Sequence, residues 1–189
     1  MTTAIEGLLV RLTALLDGAG IPFMVAGSFA STAHGVPRTT QDIDVVIDPP
    51  SIEALEVLLR SMPPDAYYVD ADAARDALRR RSMFNAVDMT TAWKVDFIVR
   101  KNRPFSREEF ARRARTSILG VPVFTASPED TIIAKLEWSA MSGGSERQRR
   151  DVAGIVATIG EALDRAYIER WVDEMSLGAE WVAAEKMPL

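Results

Sequence analysis

The sequence predicts an α+β fold: a small mixed β-sheet flanked by helices, followed by a helical C-terminal portion. Three observations lead there. Residues 3–17 space their leucines as a helix does, and residues 23–125 alternate short strand-like apolar runs with helical ones. After residue 127 only helical periodicity remains. The expected division is an α+β core over 1–126 and a helical subdomain over 127–189.

Each element has a local reason. Ile5, Leu8, Leu9, Leu12, Leu15 and Leu16 form one helical stripe, stopped by Gly18 and Gly20. Pro22 leads into a short strand, Phe23 to Ala26, and Gly27-Ser28 open a small-residue helix ending near His34 and Gly35. Asp42 to Asp48 reads as a strand closed by Pro49 and Pro50, and Ser51 caps a helix carrying Ile52, Leu55, Leu58 and Leu59. Tyr67 to Val69 is a short strand, and 71–81 a polar helix. Residues 83–88 and 93–99 alternate as strands about a turn at Met89 to Ala92, which predicts an antiparallel hairpin. Ser106 begins a short charged helix, and Val121 to Thr125 is a strand. Ser127, Pro128 and Asp130 start a helix running to about Ala140, broken by Gly143 and Gly144. From Ser145 onward two or three helices join near Gly160 and Gly178. Trp138, Trp171 and Trp181 are expected in core or interface packing.

Composition narrows the chemistry. Apolar residues make up 48% of the 189, spread along the whole length, which supports a packed core throughout. The absence of cysteine removes disulfides, thiolate metal sites and a Cys nucleophile. No signal peptide and no membrane-length apolar run is read, so the expectation is a soluble, cytoplasmic protein. A net charge of −5 argues against a uniformly basic nucleic-acid binder. Arginines nevertheless crowd the middle third, from Arg75 through Arg115, with a second cluster at Arg147, Arg149 and Arg150. These form either solvated helix faces or a phosphate-contacting surface.

The stretch richest in chemistry is Asp42-Ile43-Asp44. Side chains alternate along a strand, so both carboxylates project to one face while Ile43, Val45 and Ile47 face the core. Two adjacent carboxylates repel unless a cation sits between them, and Mg²⁺ is commonly held by one or two carboxylates plus substrate phosphates. Upstream, Gly27-Ser28 presents backbone N–H groups and a hydroxyl at a helix start, either an ordinary capped turn or an anion site for triphosphate oxygens. Arg38 is placed to contact phosphate or to lock the loop before Asp42. A third carboxylate, Asp96, shares a strand face with Lys94, opposite Trp93, Val95, Phe97 and Val99. Together Asp42, Asp44 and Asp96 make a candidate metal set for two ions about 3.5–4 Å apart, Asp96 also suiting a general base. Asp88 is the rival third carboxylate but, beside the turn, is expected at the surface. The lone histidine, His34, is expected to end its helix rather than act as a base. Lys135 is one of only four lysines against eighteen arginines. It is either an ordinary snorkelling cation or a phosphate contact. Asp151 either favours its helix N-terminus or orients Lys135 or Arg147.

A Gly-Ser pair, a spacer, Asp-x-Asp and a distant third Asp resemble the signature of the polymerase-β-type nucleotidyltransferase superfamily. More narrowly, Arg38-Thr39-Thr40-Gln41-Asp42-Ile43-Asp44 resembles the first motif of minimal bacterial nucleotidyltransferases related to the AbiEii and MenT toxins. The run from Ser127 to Lys135 resembles their second, and the run from Ser145 to Val152 the later helix whose Asp faces that Lys. After Lys135 the chain continues Leu136-Glu137-Trp138, where those toxins commonly carry a basic residue.

The resemblance implies transfer of a nucleoside monophosphate from an NTP, ATP included, to a hydroxyl acceptor, with Mg²⁺ or Mn²⁺ as cofactor. It implies catalytic roles for Asp42, Asp44, Asp96 and Lys135, and nucleotide contacts from Gly27, Ser28, Arg38, Lys135 and Asp151. The implied acceptor is a tRNA-like RNA or a protein, with an antitoxin as partner. A small antibiotic acceptor, or a catalytically silent binding module of the same fold, is the alternative.

Overall fold

Thr3 opens the first helix with a capping box: its hydroxyl accepts from the Glu6 N–H while the Glu6 carboxylate accepts from the Thr3 N–H. In this computed structural model, which describes residues 3–34 and 42–188, that helix is α1 (Ala4–Gly18). It buries Leu8, Leu9, Leu12 and Leu16 of the stripe its spacing predicts, with Ile5 and Leu15 partly exposed at its margins. The elements that follow are β1 (Phe23–Val25), α2 (Gly27–Ala33), β2 (Asp42–Ile47), α3 (Ile52–Arg60), β3 (Tyr67–Val69), α4 (Ala71–Arg80), β4 (Met83–Asp88) and β5 (Trp93–Val99). Then come α5 (Pro104–Arg112), β6 (Ala114–Ile118), β7 (Val121–Thr125), α6 (Pro128–Met141), α7 (Glu146–Ile159), a 3-10 turn at Gly160–Ala162, α8 (Arg165–Glu174) and α9 (Gly178–Glu185).

The chain divides into two compact units. One holds Met1–Ala26 and Thr39–Thr125, the other Gly27–Arg38 and Ala126–Leu189. Thus the short helix α2 groups with the C-terminal helices rather than with the sheet.

In the first unit the described strands form one mixed seven-stranded sheet, ordered β3-β4-β5-β2-β1-β7-β6. β1 runs antiparallel to β2 and parallel to β7, and β2 runs parallel to β5. The expected hairpin of 83–88 with 93–99 is present as β4 and β5, in antiparallel register from Met83↔Ile98 to Asp88↔Trp93. One sheet face is apolar and buried: Ile43, Val45, Val95, Phe97, Phe84 and Ala86 lie on it. Phe84 stacks on Phe97 there, ring centroids 5.0 Å apart. Helices α1, α3 and α4 pack in succession within this unit, and Ser51 caps α3 by accepting from the Ala54 N–H.

Three expectations need correction in this unit. Residues 114–118, not expected as a strand, form the edge strand β6 paired with β7. Helix α5 starts at Pro104, two residues before Ser106, whose hydroxyl instead accepts from Arg103 Nε at 2.9 Å. Asp88 is not a surface residue. It is 1% exposed, ion-paired to Arg11, and accepts from the Thr90 and Thr91 N–H groups.

The second unit is helical. Ser127 caps α6, with Pro128 at its first position as expected. Ile132, Ile133 and Leu136 of α6, Val152 and Ile155 of α7, and Ile168 of α8 are fully buried. Polar ties cross between the helices. Tyr167 donates to Asp130 at 2.5 Å, and Arg149 forms a two-pronged pair with Glu180, which also accepts from Ser139. Trp171 and Trp181 are buried, but Trp138 is half exposed and outside the core. No helix among the described residues is long and apolar enough to cross a membrane.

Candidate functional site

The polar face of the sheet follows from strand alternation and register. In the parallel ladder of β2 and β5, Asp42 stands beside Lys94 and Asp44 beside Asp96. In the antiparallel ladder of β4 and β5, Asn85 stands beside Asp96. Laterally paired residues share a face, so Asp42, Asp44, Asp96, Lys94 and Asn85 all project opposite the Phe84–Phe97 core. The same register removes Asp88 from contention. It pairs with Trp93, one residue out of phase with Asp96, and so lies on the other face.

Within this face the third carboxylate is fully engaged. Lys94 Nζ lies 2.8 Å from Asp96 Oδ2, and the Asn85 amide donates to Asp96 Oδ1. Asp96 is 5% exposed, whereas the Lys94 side chain is 43% exposed. The hydrogen bond to Asp96 raises the Lys94 pKa above its ordinary value. Partial burial works against that rise, and the charges of Asp96, Asp42 and Asp44 reinforce it. Lys94 therefore sits in the field of all three carboxylates. Strand alternation places Lys94 on the Asp96 face, but its contact with Asp96 depends on side-chain reach.

Among the described residues no group of three or more His, Asp or Glu side chains is gathered closely enough to hold a metal ion. The three aspartates share a face without converging on one point, and Asp96 is drawn instead to Lys94 and Asn85. Their chemistry nonetheless fits a hard divalent cation. The donors are carboxylate oxygens, and a cation, the Lys94 ammonium, has already been drawn among them.

Other expected residues lie in the second unit. Gly27 begins α2 with φ +58°, a left-handed conformation that glycine adopts without a side-chain clash. Ser28 is buried. Ser31 and Thr32 turn their hydroxyls back to the Gly27 and Ser28 carbonyls. His34 follows the end of α2, its Nε2 3.0 Å from the Ala126 carbonyl oxygen, and burial pushes its pKa down. The helix ends at Ala33, one residue before it. Lys135 and Asp151 meet as a buried pair at 2.7 Å, and Lys135 also donates to Gln148 at 3.2 Å. Arg147 is exposed. Arg38 lies outside the described residues.

Many of the crowded arginines are matched by acidic neighbours. Arg75 pairs with Glu56 and Asp72, Arg79 and Arg80 with Asp76, and Arg81 and Arg100 with Asp48. Arg113 instead lies over the Phe110 ring, 4.2 Å from its centroid.

No family model matches this chain, and no curated protein sequence matches it. Solved structures do. The ANT(2'')-Ia structure in complex with adenylyl-2''-tobramycin is 15% identical, covers 92% of this chain and 99% of its own, and superposes with a TM-score of 0.61. An antigenic nucleotidyltransferase-like protein from Paracoccidioides brasiliensis is 18% identical over 92% of this chain and 90% of its own, TM-score 0.54. The lincomycin-bound lincosamide antibiotic adenylyltransferase LnuA is 11% identical over 79% of this chain and 95% of its own, TM-score 0.54. At such identities the likeness is one of fold. The chain therefore shares the fold of these nucleotidyltransferase structures.

Proposed function

We propose that this protein is a divalent-metal-dependent nucleotidyltransferase that moves a nucleoside monophosphate from an NTP to a hydroxyl acceptor. The observation that carries this reading is the register of Asp44 against Asp96, with Asp42 and Asp44 on one strand face. Asp42, Asp44 and Asp96 would hold Mg²⁺ or Mn²⁺, which when bound neutralises the triphosphate and the charge developing on it. Asp96 takes the proton of the acceptor hydroxyl. The hydroxyl oxygen forms a bond to the α-phosphorus, the α–β anhydride bond breaks, and pyrophosphate leaves. Gly27 and Ser28 are assigned to the triphosphate, with Arg38. Lys135, oriented by Asp151, is assigned to offsetting negative charge on the nucleotide.

A small hydroxylated acceptor of the antibiotic type is the preferred substrate class. Two observations support it. Several arginines that would favour an RNA backbone are matched by acidic neighbours. Two proteins of similar fold, ANT(2'')-Ia and LnuA, are described with an adenylylated or bound antibiotic. A tRNA-like RNA or a protein acceptor, with the toxin role and an antitoxin partner, is the rival.

The test incubates the protein with Mg²⁺ and each α-phosphate-labelled NTP, against aminoglycosides and lincosamides, total RNA, or no added acceptor. Label on a small molecule with pyrophosphate release is expected. Label in RNA or on protein would replace the acceptor class. No pyrophosphate in any mixture, with no NTP binding lost in Asp44→Ala, would leave a silent binding module.

A further inference from the structure

Both oxygens of Asp96 are occupied, and the two partners differ in kind. Asn85 is a neutral amide on the neighbouring strand β4 and can keep its hydrogen bond whatever the charge state of the face. Lys94 is a full positive charge on a flexible four-carbon stem, two residues before Asp96 on the same strand. Its side chain is exposed enough to swing into solvent without opening the apolar core beneath. Lys94 is also the lateral partner of Asp42, which puts its charge between the first and third carboxylates of the face.

A divalent cation and an ammonium cannot both sit against the same carboxylate oxygen. The ammonium blocks the oxygen sterically and repels the incoming ion. In this structure Asp96 Oδ2 faces the Lys94 ammonium, 2.8 Å away.

We propose that Lys94 is a displaceable counter-cation, a positioning residue that holds Asp96 in the metal-free protein and must release Asp96 Oδ2 before that carboxylate can join Asp42 and Asp44 around a divalent ion. The inference rests on the metal reading of those three aspartates. In it Lys94 keeps three crowded carboxylates compatible with a folded sheet when no metal is present, and it sets the metal affinity by competing for the same oxygen. Asn85 holds Asp96 Oδ1 in both states, so the carboxylate is re-aimed rather than released.

The experiment measures Mn²⁺ binding to the full chain by electron paramagnetic resonance, alongside thermal unfolding with and without Mn²⁺. Wild type is compared with Lys94→Met, which keeps the stem and removes the charge, and Lys94→Arg, which keeps the charge. Lys94→Gln replaces the Met variant if that misfolds. Removing the charge is expected to tighten Mn²⁺ binding about tenfold, with the Arg variant within about twofold of wild type. The metal-free Lys94→Met protein should melt below wild type and gain more from Mn²⁺. Unchanged or weaker binding in Lys94→Met, with wild type binding Mn²⁺, would overturn the role of Lys94 and leave the metal reading standing. No binding by any of the proteins would overturn both.

Discussion

Asp44 and Asp96 are lateral partners in the parallel ladder of β2 and β5, two carboxylates fixed side by side on one sheet face. Parallel pairing of strands so far apart in sequence requires the long crossover through α3, β3, α4 and β4. The pair is therefore a product of the whole first unit rather than of a local motif.

This geometry makes the first prediction. Asp44→Asn removes one carboxylate charge from this face at nearly constant side-chain volume, so the protein should still fold. The same change should abolish any rise in Tm produced by Mg²⁺ with an NTP, and sharply lower transfer. Thermal unfolding with and without ligand reads the first effect, and pyrophosphate release the second. A stable Asp44→Asn protein that still shows the full ligand shift would remove Asp44 from the metal set.

Much of this face was legible in the sequence, for a physical reason. β4 and β5 were read at their observed bounds because each buries one face, and burial imprints period-2 alternation on either side of a polar turn. β6 was missed because it is an edge strand whose residues are mostly exposed, so no buried face imposes a pattern on Ala114-Arg115-Thr116-Ser117-Ile118. Asp88 was misplaced because its neutralising partner, Arg11, lies on α1, remote in sequence. Lys94 was seen on the correct face, but its hold on Asp96 depends on side-chain reach, which alternation does not encode.

The Arg11–Asp88 pair yields a pH prediction. Burial alone would push the Asp88 carboxyl up, but the Arg11 guanidinium and the Thr90 and Thr91 N–H groups hold it below the ordinary range. A group whose folded pKa is depressed adds stability above its unfolded pKa, about 3.9 for Asp, and loses it as pH falls through the folded value. Wild type should therefore lose stability below about pH 4, and Asp88→Asn should lose less over the same interval. Urea unfolding between neutral pH and pH 3 measures both slopes. Parallel slopes would mean that Asp88 carries none of the acid sensitivity.

Lys135 and Asp151 make the strongest single-site stability prediction. Both are buried, at 4% and 6% exposure, and their charged atoms are 2.7 Å apart. Asp151→Ala removes the carboxylate facing a buried ammonium and should cost about 3–5 kcal/mol. The double replacement Lys135→Met with Asp151→Leu should recover most of that, since it removes both charges together. Equilibrium unfolding of wild type, Asp151→Ala and the double variant measures both the loss and the recovery. If the double variant regains stability yet binds no NTP, Lys135 serves the nucleotide; if it binds NTP as wild type does, the pair is structural only.

Gly27 can be tested for backbone need and for nucleotide contact separately. Its φ of +58° lies in the left-handed region, where an alanine side chain would be strained, so Gly27→Ala should cost about 1–2 kcal/mol. Asn tolerates that conformation better than Ala, so Gly27→Asn should regain part of the lost stability. An Asn side chain nevertheless stands where close backbone approach to a triphosphate would need open space. If Gly27 serves the nucleotide, NTP affinity falls in both variants although stability falls mainly in one. Affinity that tracks stability across wild type, Asn and Ala would reduce Gly27 to a helix-starting turn. Calorimetric NTP titration beside urea unfolding of the three proteins separates those outcomes.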